Sequence, residues 1–228
     1  MVVVAHPDDE LLGLGGTIHR LVNEFEATVR LIILGEGITS RAKERHREKW
    51  EEELKTHKEN ISEAVDYVGY QTYKAYDFAD NRFDTVPLID LIKVIEEEAQ
   101  GYNPSIVFTH HGGDLNVDHQ QVFKAVMTAF RPIESQQVKT ILTFETPSST
   151  EWVASNNPLP FRPNVYIALR KENLKAKIDG MQSYTYEKRD FPHPRSPKAL
   201  KIKAQSNGCK IGVMYAEAFE LIRSVSNN

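Results

Sequence analysis

Cysteine is almost absent: Cys209 is the only one in 228 residues, so neither an intramolecular disulfide nor a thiolate-rich metal site is available. Any metal chemistry must therefore rest on nitrogen and oxygen donors. A positive excess is lacking too. With 28 Lys and Arg against 32 Asp and Glu the formal charge is −4, and the basic residues are interleaved with acids, so a nucleic acid is not an expected partner. Long apolar runs are missing: stretches such as Leu31 to Leu34 fall far short of the ~20 residues that span a bilayer. The opening MVVVAHPDDE has no basic region and meets acids early, which reads as a strand rather than a secretory signal. A cytoplasmic protein with no membrane span is the expectation. Also missing are a GxxxxGK[ST] loop, a GxSxG elbow and an HExxH pair, which argues against nucleoside triphosphatase, serine hydrolase and zincin chemistry.

What is there is ordinary for a folded protein: 40 % apolar and 26 % charged residues, in a length that suits one domain over 1–228. Short β-branched runs alternate with segments of helical period, the pattern of an α/β, three-layer Rossmann-like fold with a mostly parallel sheet and helices on both faces. Strands are expected at Val2 to Ala5, Thr28 to Leu34, Gln71 to Tyr76, Ser105 to Thr109, Lys139 to Phe144 and Val165 to Leu169. Helices are expected from Leu11 to Phe25, Ser40 to Tyr67, Pro87 to Ala99, Asp118 to Phe130, Glu172 to Gln182 and Pro197 to Asn207. Pro and Asn crowd 147–163, which reads as a long loop. No element is assigned beyond Asn207. Gly13, Gly15 and Gly16 lack the last glycine of a dinucleotide fingerprint and are read as helix-packing positions.

Two polar clusters stand out. Ala5-His6-Pro7-Asp8-Asp9-Glu10 lies where the first strand meets the first helix, and His110 to His119 follows the strand at Ser105 to Thr109. In an open parallel sheet both fall at the carboxyl ends of strands, where ligands bind. Their imidazoles and carboxylates make a mixed N/O donor set suited to Zn2+ or another first-row divalent metal. In a tight turn His6 and Asp9, three apart, can point at one ion while Asp8 projects elsewhere, toward a water. Capping of the helix would need only one acid and accounts for neither the histidine nor the second cluster. His119 is either a ligand or a histidine satisfied by backbone, and Asp118 beside it can orient an imidazole.

On AHPDDE and the later Asp118-His119, the sequence resembles the LmbE-like or PIG-L-like zinc-dependent N-acetylglucosamine deacetylases, from Val2 to about Arg131. The resemblance implies zinc on His6, Asp9 and His119, with Asp8 as general base. It implies an amidase acting on an N-acetylated amino sugar or sugar conjugate, such as a sugar nucleotide or polysaccharide precursor. Many members carry histidine where this chain has Asn116, at a position associated with the tetrahedral oxyanion. Asn116 can donate a hydrogen bond but carries no proton, so Asp8 must recycle its own proton or His110 or His111 must supply one. Ser148 to Trp152 and His193 to Ser196 resemble, more weakly, members that act on polysaccharide or sugar-nucleotide precursors.

Asp80 and Arg82, after the third strand, are the expected substrate contacts, with Arg131 and Arg195 as further candidates. Trp152, Tyr184 and Tyr186 could stack on a sugar ring, with core or loop packing as the reading preferred for all three. Two rival activities share these residues: a two-metal phosphoesterase and a non-catalytic sugar-binding module of the same fold. A homo-oligomer stays open.

Overall fold

The computed structural model describes residues 1–41, 47–134 and 136–226. Its centre is the hydrophobic run at the start of the chain. Val2–Val4 (β1) is buried on both faces, as a central parallel strand must be. It is flanked on one side by Arg30–Gly35 (β2) and Thr72–Phe78 (β3) and on the other by Ile106–His110 (β4) and Thr140–Phe144 (β5), all running parallel to their neighbours. Two more strands complete the sheet, Val165–Leu169 (β6) and Tyr215–Ser224 (β7), giving the order β3-β2-β1-β4-β5-β7-β6. β7 is antiparallel to both its neighbours.

Successive residues of β1 point to opposite sides, and each side has its own core. Val2 and Val4 pack with Leu31, Ile33 and the apolar stripes of Asp9–Phe25 (α1), Glu51–Val68 (α2) and Lys171–Ser183 (α5), with Pro197–Ile211 (α6) reaching them through Leu200. Val3 and Ala5 pack with Ile32, Leu34 and the buried faces of Leu88–Ala99 (α3) and Val117–Ala129 (α4). The result is the three-layer α/β architecture that the alternation of patterns predicts.

Three differences from the sequence reading have physical causes. The helix expected from Ser40 begins as α2 only at Glu51; the first part of that expectation includes residues 42–46, which lie outside the described residues. The strand β7 was not expected at all, because Tyr215-Ala-Glu-Ala-Phe-Glu carries Ala and Glu, which favour helix, and tertiary pairing overrides that preference. Residues 147–163 are not featureless, since Thr150–Trp152 forms a 3-10 turn.

α1 lies close against the sheet. A Cβ on Gly13 would sit 2.1 Å from the Phe144 ring and one on Gly16 2.6 Å from Leu169, so these glycines permit close packing. The helix breaks its regular geometry at Leu14 (φ −149, ψ 15). Behind the break the Gly16 and Thr17 N–H groups donate to Glu217 of β7, at 3.2 and 2.7 Å, and Lys177 of α5 donates to the same carboxylate (2.6 Å) and to the Leu12 carbonyl (2.9 Å).

Candidate metal centre and active site

The strand order reverses between β1 and β4, and the crevice at their carboxyl ends is the expected ligand position in such a sheet. His6 leaves β1 there, and His110 ends β4. The backbone turns sharply after Pro7: Asp8 precedes α1 with φ 101, ψ −28, a left-handed conformation that costs a non-glycine residue about 1–3 kcal/mol. Its side chain does not cap the helix. Glu10 instead accepts from the Asp8 N–H (3.0 Å) and Asp9 Oδ2 from the His6 N–H (2.8 Å), so the turn is held by its neighbours and the Asp8 carboxylate is free to face the crevice.

Three side chains converge beside it. Asp9 Oδ2 lies 3.5 Å from His6 Nδ1 and 3.3 Å from His119 Nε2, all three residues being buried. The far nitrogen of each imidazole meets a second carboxylate. His6 Nε2 is 2.9 Å from Asp118 Oδ2, and His119 Nδ1 is 3.1 Å from Asp114 Oδ1 but off the line of a good hydrogen bond. Asp118 is itself fixed by the N–H groups of Asn81 (2.7 Å) and Phe83 (2.9 Å), and Asp114 by Asn116 N–H and the hydroxyls of Ser149 and Thr150. Two nitrogens and one oxygen, backed by carboxylates that fix the ring orientation, are the donor chemistry and outer support of a zinc-type site. His6, Asp80 and Asp118 form a second group with metal-ligating chemistry. It shares His6 with the first, and Asp118 within it is already engaged by backbone.

Charge shifts follow from burial and crowding. Desolvation raises the Asp8 carboxyl well above the usual carboxylate range, and Arg195 opposes that only in part. Burial would lower the His6 imidazole, but Asp118, Asp9 and Asp80 outweigh it and raise it well above an ordinary histidine. Asp9 goes the other way: burial works against its ionised form, yet His119 and His110 hold it well below the usual range.

The cavity over these groups has a volume of about 290 Å3. Its lining includes Ser40, Asp80 and Asn81, which hydrogen-bond to one another, and Ser148, Ser149, Trp152, Glu187, His193 and Arg195. Arg195 is the main cross-brace. Its Nη1 donates to Asp8 Oδ2 (2.7 Å) and Glu187 Oε2 (2.9 Å) and its Nε to Ser148 Oγ (2.7 Å).

Several expected roles change with this placement. Arg195 does line the cavity, and its Nε and Nη1 are engaged by Ser148, Asp8 and Glu187, so it also braces Asp8. Arg131 lies just beyond α4, donates to the Thr128 carbonyl and pairs with Glu96 (3.2 Å), and it does not line the cavity. Arg82 lines a neighbouring cavity that shares Ser40, Asp80 and Asn81 with the main one. Asp80 is on the wall, but its oxygens accept from Ser40 Oγ (2.6 Å) and Asn81 Nδ2 (3.0 Å). His110 and His111 are not the proton donors envisaged for the site. His110 is fully buried beneath His119, stacked at 3.9 Å, and its Nε2 accepts the Ala5 N–H; burial and then His119 lower it to about 4, consistent with a neutral ring. His111 turns away to Glu220 (2.8 Å) and the Leu159 carbonyl. Asn116 does line the cavity; its carbonyl oxygen accepts the Asp118 N–H (2.8 Å), which leaves the amide NH2 as a donor. Glu187 was not expected from sequence, because nothing local marks it.

Residues 1–130 match the PIG-L family, described as GlcNAc-PI de-N-acetylase. The chain is 28 % identical over 191 residues to the uncharacterized deacetylase YaiS of Escherichia coli (strain K12), covering 81 % of this chain and 89 % of that protein. In fold it is similar to the N,N'-diacetylchitobiose deacetylase of Pyrococcus horikoshii, with a TM-score of 0.74, 16 % identity and coverage of 97 % of this chain and 82 % of that one. It is equally similar to GalB, the 4-carboxy-2-hydroxymuconate hydratase of Pseudomonas putida KT2440, with a TM-score of 0.74, 17 % identity and coverage of 100 % and 98 %. A hydratase and a deacetylase thus share this architecture, so the reaction has to be argued from the site.

Proposed function

The chain belongs to the PIG-L family of deacetylases, and from that premise we propose that it is a divalent-metal-dependent hydrolase removing the acetyl group from an N-acetylated amino sugar or sugar conjugate. The observation that carries the reading is the convergence of His6 Nδ1, Asp9 Oδ2 and His119 Nε2 on one point, with Asp8 beside them. These three residues would hold the ion, with zinc the expected metal. When bound, such an ion acts as a Lewis acid that lowers the pKa of water and polarises an amide carbonyl.

The chain's own residues supply the rest. Asp8 accepts a proton from the attacking water, its Oδ2 held by Arg195. As the carbon–nitrogen bond breaks, the same carboxyl returns that proton to the departing nitrogen, so that the amine leaves neutral, since one group can serve as base and then acid. The Asn116 amide NH2, fixed in orientation by Asp118, donates to the carbonyl oxygen as it takes on negative charge, a contribution of the kind worth about 10²–10³-fold in rate. Asp118 and Asp114 keep the two imidazoles aimed. The small cavity and its polar walls suit a single hydroxylated ring.

The test is acetate release from a panel of N-acetylated sugars and sugar nucleotides, before and after a chelator, with metal counted by elemental analysis. Chelator-sensitive acetate release with one ion per chain is expected. Two ions per chain with turnover of generic phosphate esters and no acetate would replace the reading with a phosphoesterase.

A further inference from the structure

Most of the cavity wall is charged or hydrogen-bonding. Among the described residues that line it, Trp152 is the single Phe, Tyr or Trp. It is also anomalous for its size: an indole in a sheltered cleft is usually largely covered, yet Trp152 is 53 % exposed. Tyr184 and Tyr186 do not share this position. Tyr184 is fully buried and donates to Glu10, while Tyr186 packs edge-on against His57.

The exposure is not that of a loose loop. Glu151 accepts from the Ser148 N–H (2.8 Å) and the Ser149 N–H (3.3 Å), and Trp152 N–H donates to the Ser149 carbonyl (3.2 Å). The Ser149 and Thr150 hydroxyls tie the same turn to Asp114, which stands against His119. His193, also on the wall, meets the indole in a T-shaped contact at 5.8 Å and an interplanar angle of 81°. The indole is therefore held in one place relative to the candidate metal ligands, with apolar surface left uncovered beside an otherwise polar cavity. Its natural complement is a ligand that is hydroxylated at its edge and carbon-bound hydrogen on one face.

We propose that Trp152 is a stacking platform for the pyranose ring of the substrate, in the cavity that Ser40, Asp80 and Asn81 also line, and so selects cyclic amino sugars over acyclic acetamides. This rests on the deacetylase reading above and names the substrate class for it. A bare C–H face gains from an aromatic surface through dispersion and area removed from water. Loss of one such surface is expected to cost about tenfold, the equivalent of 1.4 kcal/mol.

Two measurements test it. In steady-state assays, Trp152→Ala should lower kcat/KM for an N-acetylglucosaminide about tenfold relative to acyclic N-acetylethanolamine, with metal content unchanged, and Trp152→Phe should recover most of the loss. In a Trp50→Phe protein, where Trp152 is the remaining tryptophan, saturation with glucosamine should shift the indole fluorescence. A fluorescence shift without any acetate release would sustain the platform and defeat the deacetylase reading. Acetate release with no shift, or with equal losses on cyclic and acyclic substrates in Trp152→Ala, would overturn the platform alone.

Discussion

Asp8 and Ser148 are both non-glycine residues held at positive φ, 101 and 70, and Arg195 bonds to the side chains of both. Strain of this kind persists where surrounding contacts enforce it, and here the enforcing contact is a planar guanidinium with three partners. Lysine, a point charge on a flexible stem, cannot reproduce that fork. Arg195→Lys is therefore expected to lower kcat about 10²-fold, the cost of roughly 1 Å of misplacement in a reacting group, with KM and bound metal nearly unchanged. Asp8→Asn, which removes the base itself, should cost more, about 10²–10⁴-fold, again with metal retained. Steady-state kinetics with elemental analysis separates the two; a Lys variant as active as the parent would remove Arg195 from the base's support. The candidacy of His6, Asp8 and Asp9 was legible in sequence because they crowd into one turn of the chain. Glu187 was not, and Arg195 was marked only as a possible substrate contact, because the partner of its Nη1 lies far away: 187 residues separate Arg195 from Asp8.

α1 carries the turn that aims the base, yet it is irregular at Leu14 and would leave N–H groups unpaired there. Glu217 accepts two of them while Lys177 balances its charge, all in a buried setting. Removing one member of a buried pair typically costs about 3–5 kcal/mol, whereas replacing it with matched apolar groups can be close to neutral. Glu217→Ala should thus lower the melting temperature by about 10 °C, at the 2–4 °C per kcal/mol usual for a chain of this size. Adding Lys177→Met should recover part of the loss, because the stranded cation is gone. Calorimetry on the single and double variants checks this, and strictly additive losses would show that the two residues do not act as a pair. The strand that delivers Glu217 escaped the sequence reading for the same reason that it matters: an inward-facing glutamate breaks the apolar alternation by which a strand is recognised.

At the scale of the whole molecule, the three candidate ligands come from the end of β1 (His6), the start of α1 (Asp9) and the start of α4 (His119), and α1 and α4 pack in layers on opposite faces of the sheet. An ion there would join those layers. Stripping the metal should lower stability by about 3–4 kcal/mol when the ion had been present at 100–1,000 times its Kd, read as a drop in melting temperature that added zinc reverses. An unchanged melting temperature would place the ion elsewhere or nowhere. The matched family segment ends at residue 130, and the candidate metal ligands all precede that point. Ser148, Trp152, Glu187, His193 and Arg195 come after it. The candidate ligands stood out in two short motifs, and Asp80, Ser148 to Trp152 and His193 to Ser196 were marked as well, whereas Glu187 was not, because folding alone brings it to the cavity.

That division has a consequence for how the protein is made. Among the described residues β6 pairs only with β7, the strand synthesised after it, and β7 must enter between β5 and β6 before Glu217 can reach α1. A polypeptide still emerging from the ribosome can hold every candidate metal ligand and yet lack the brace on its base and the plug in its helix. Glu217 arrives only with this closing strand, so a chain ended upstream of residue 215 would carry every candidate metal ligand and Arg195 but not the carboxylate that meets the irregular turn of α1.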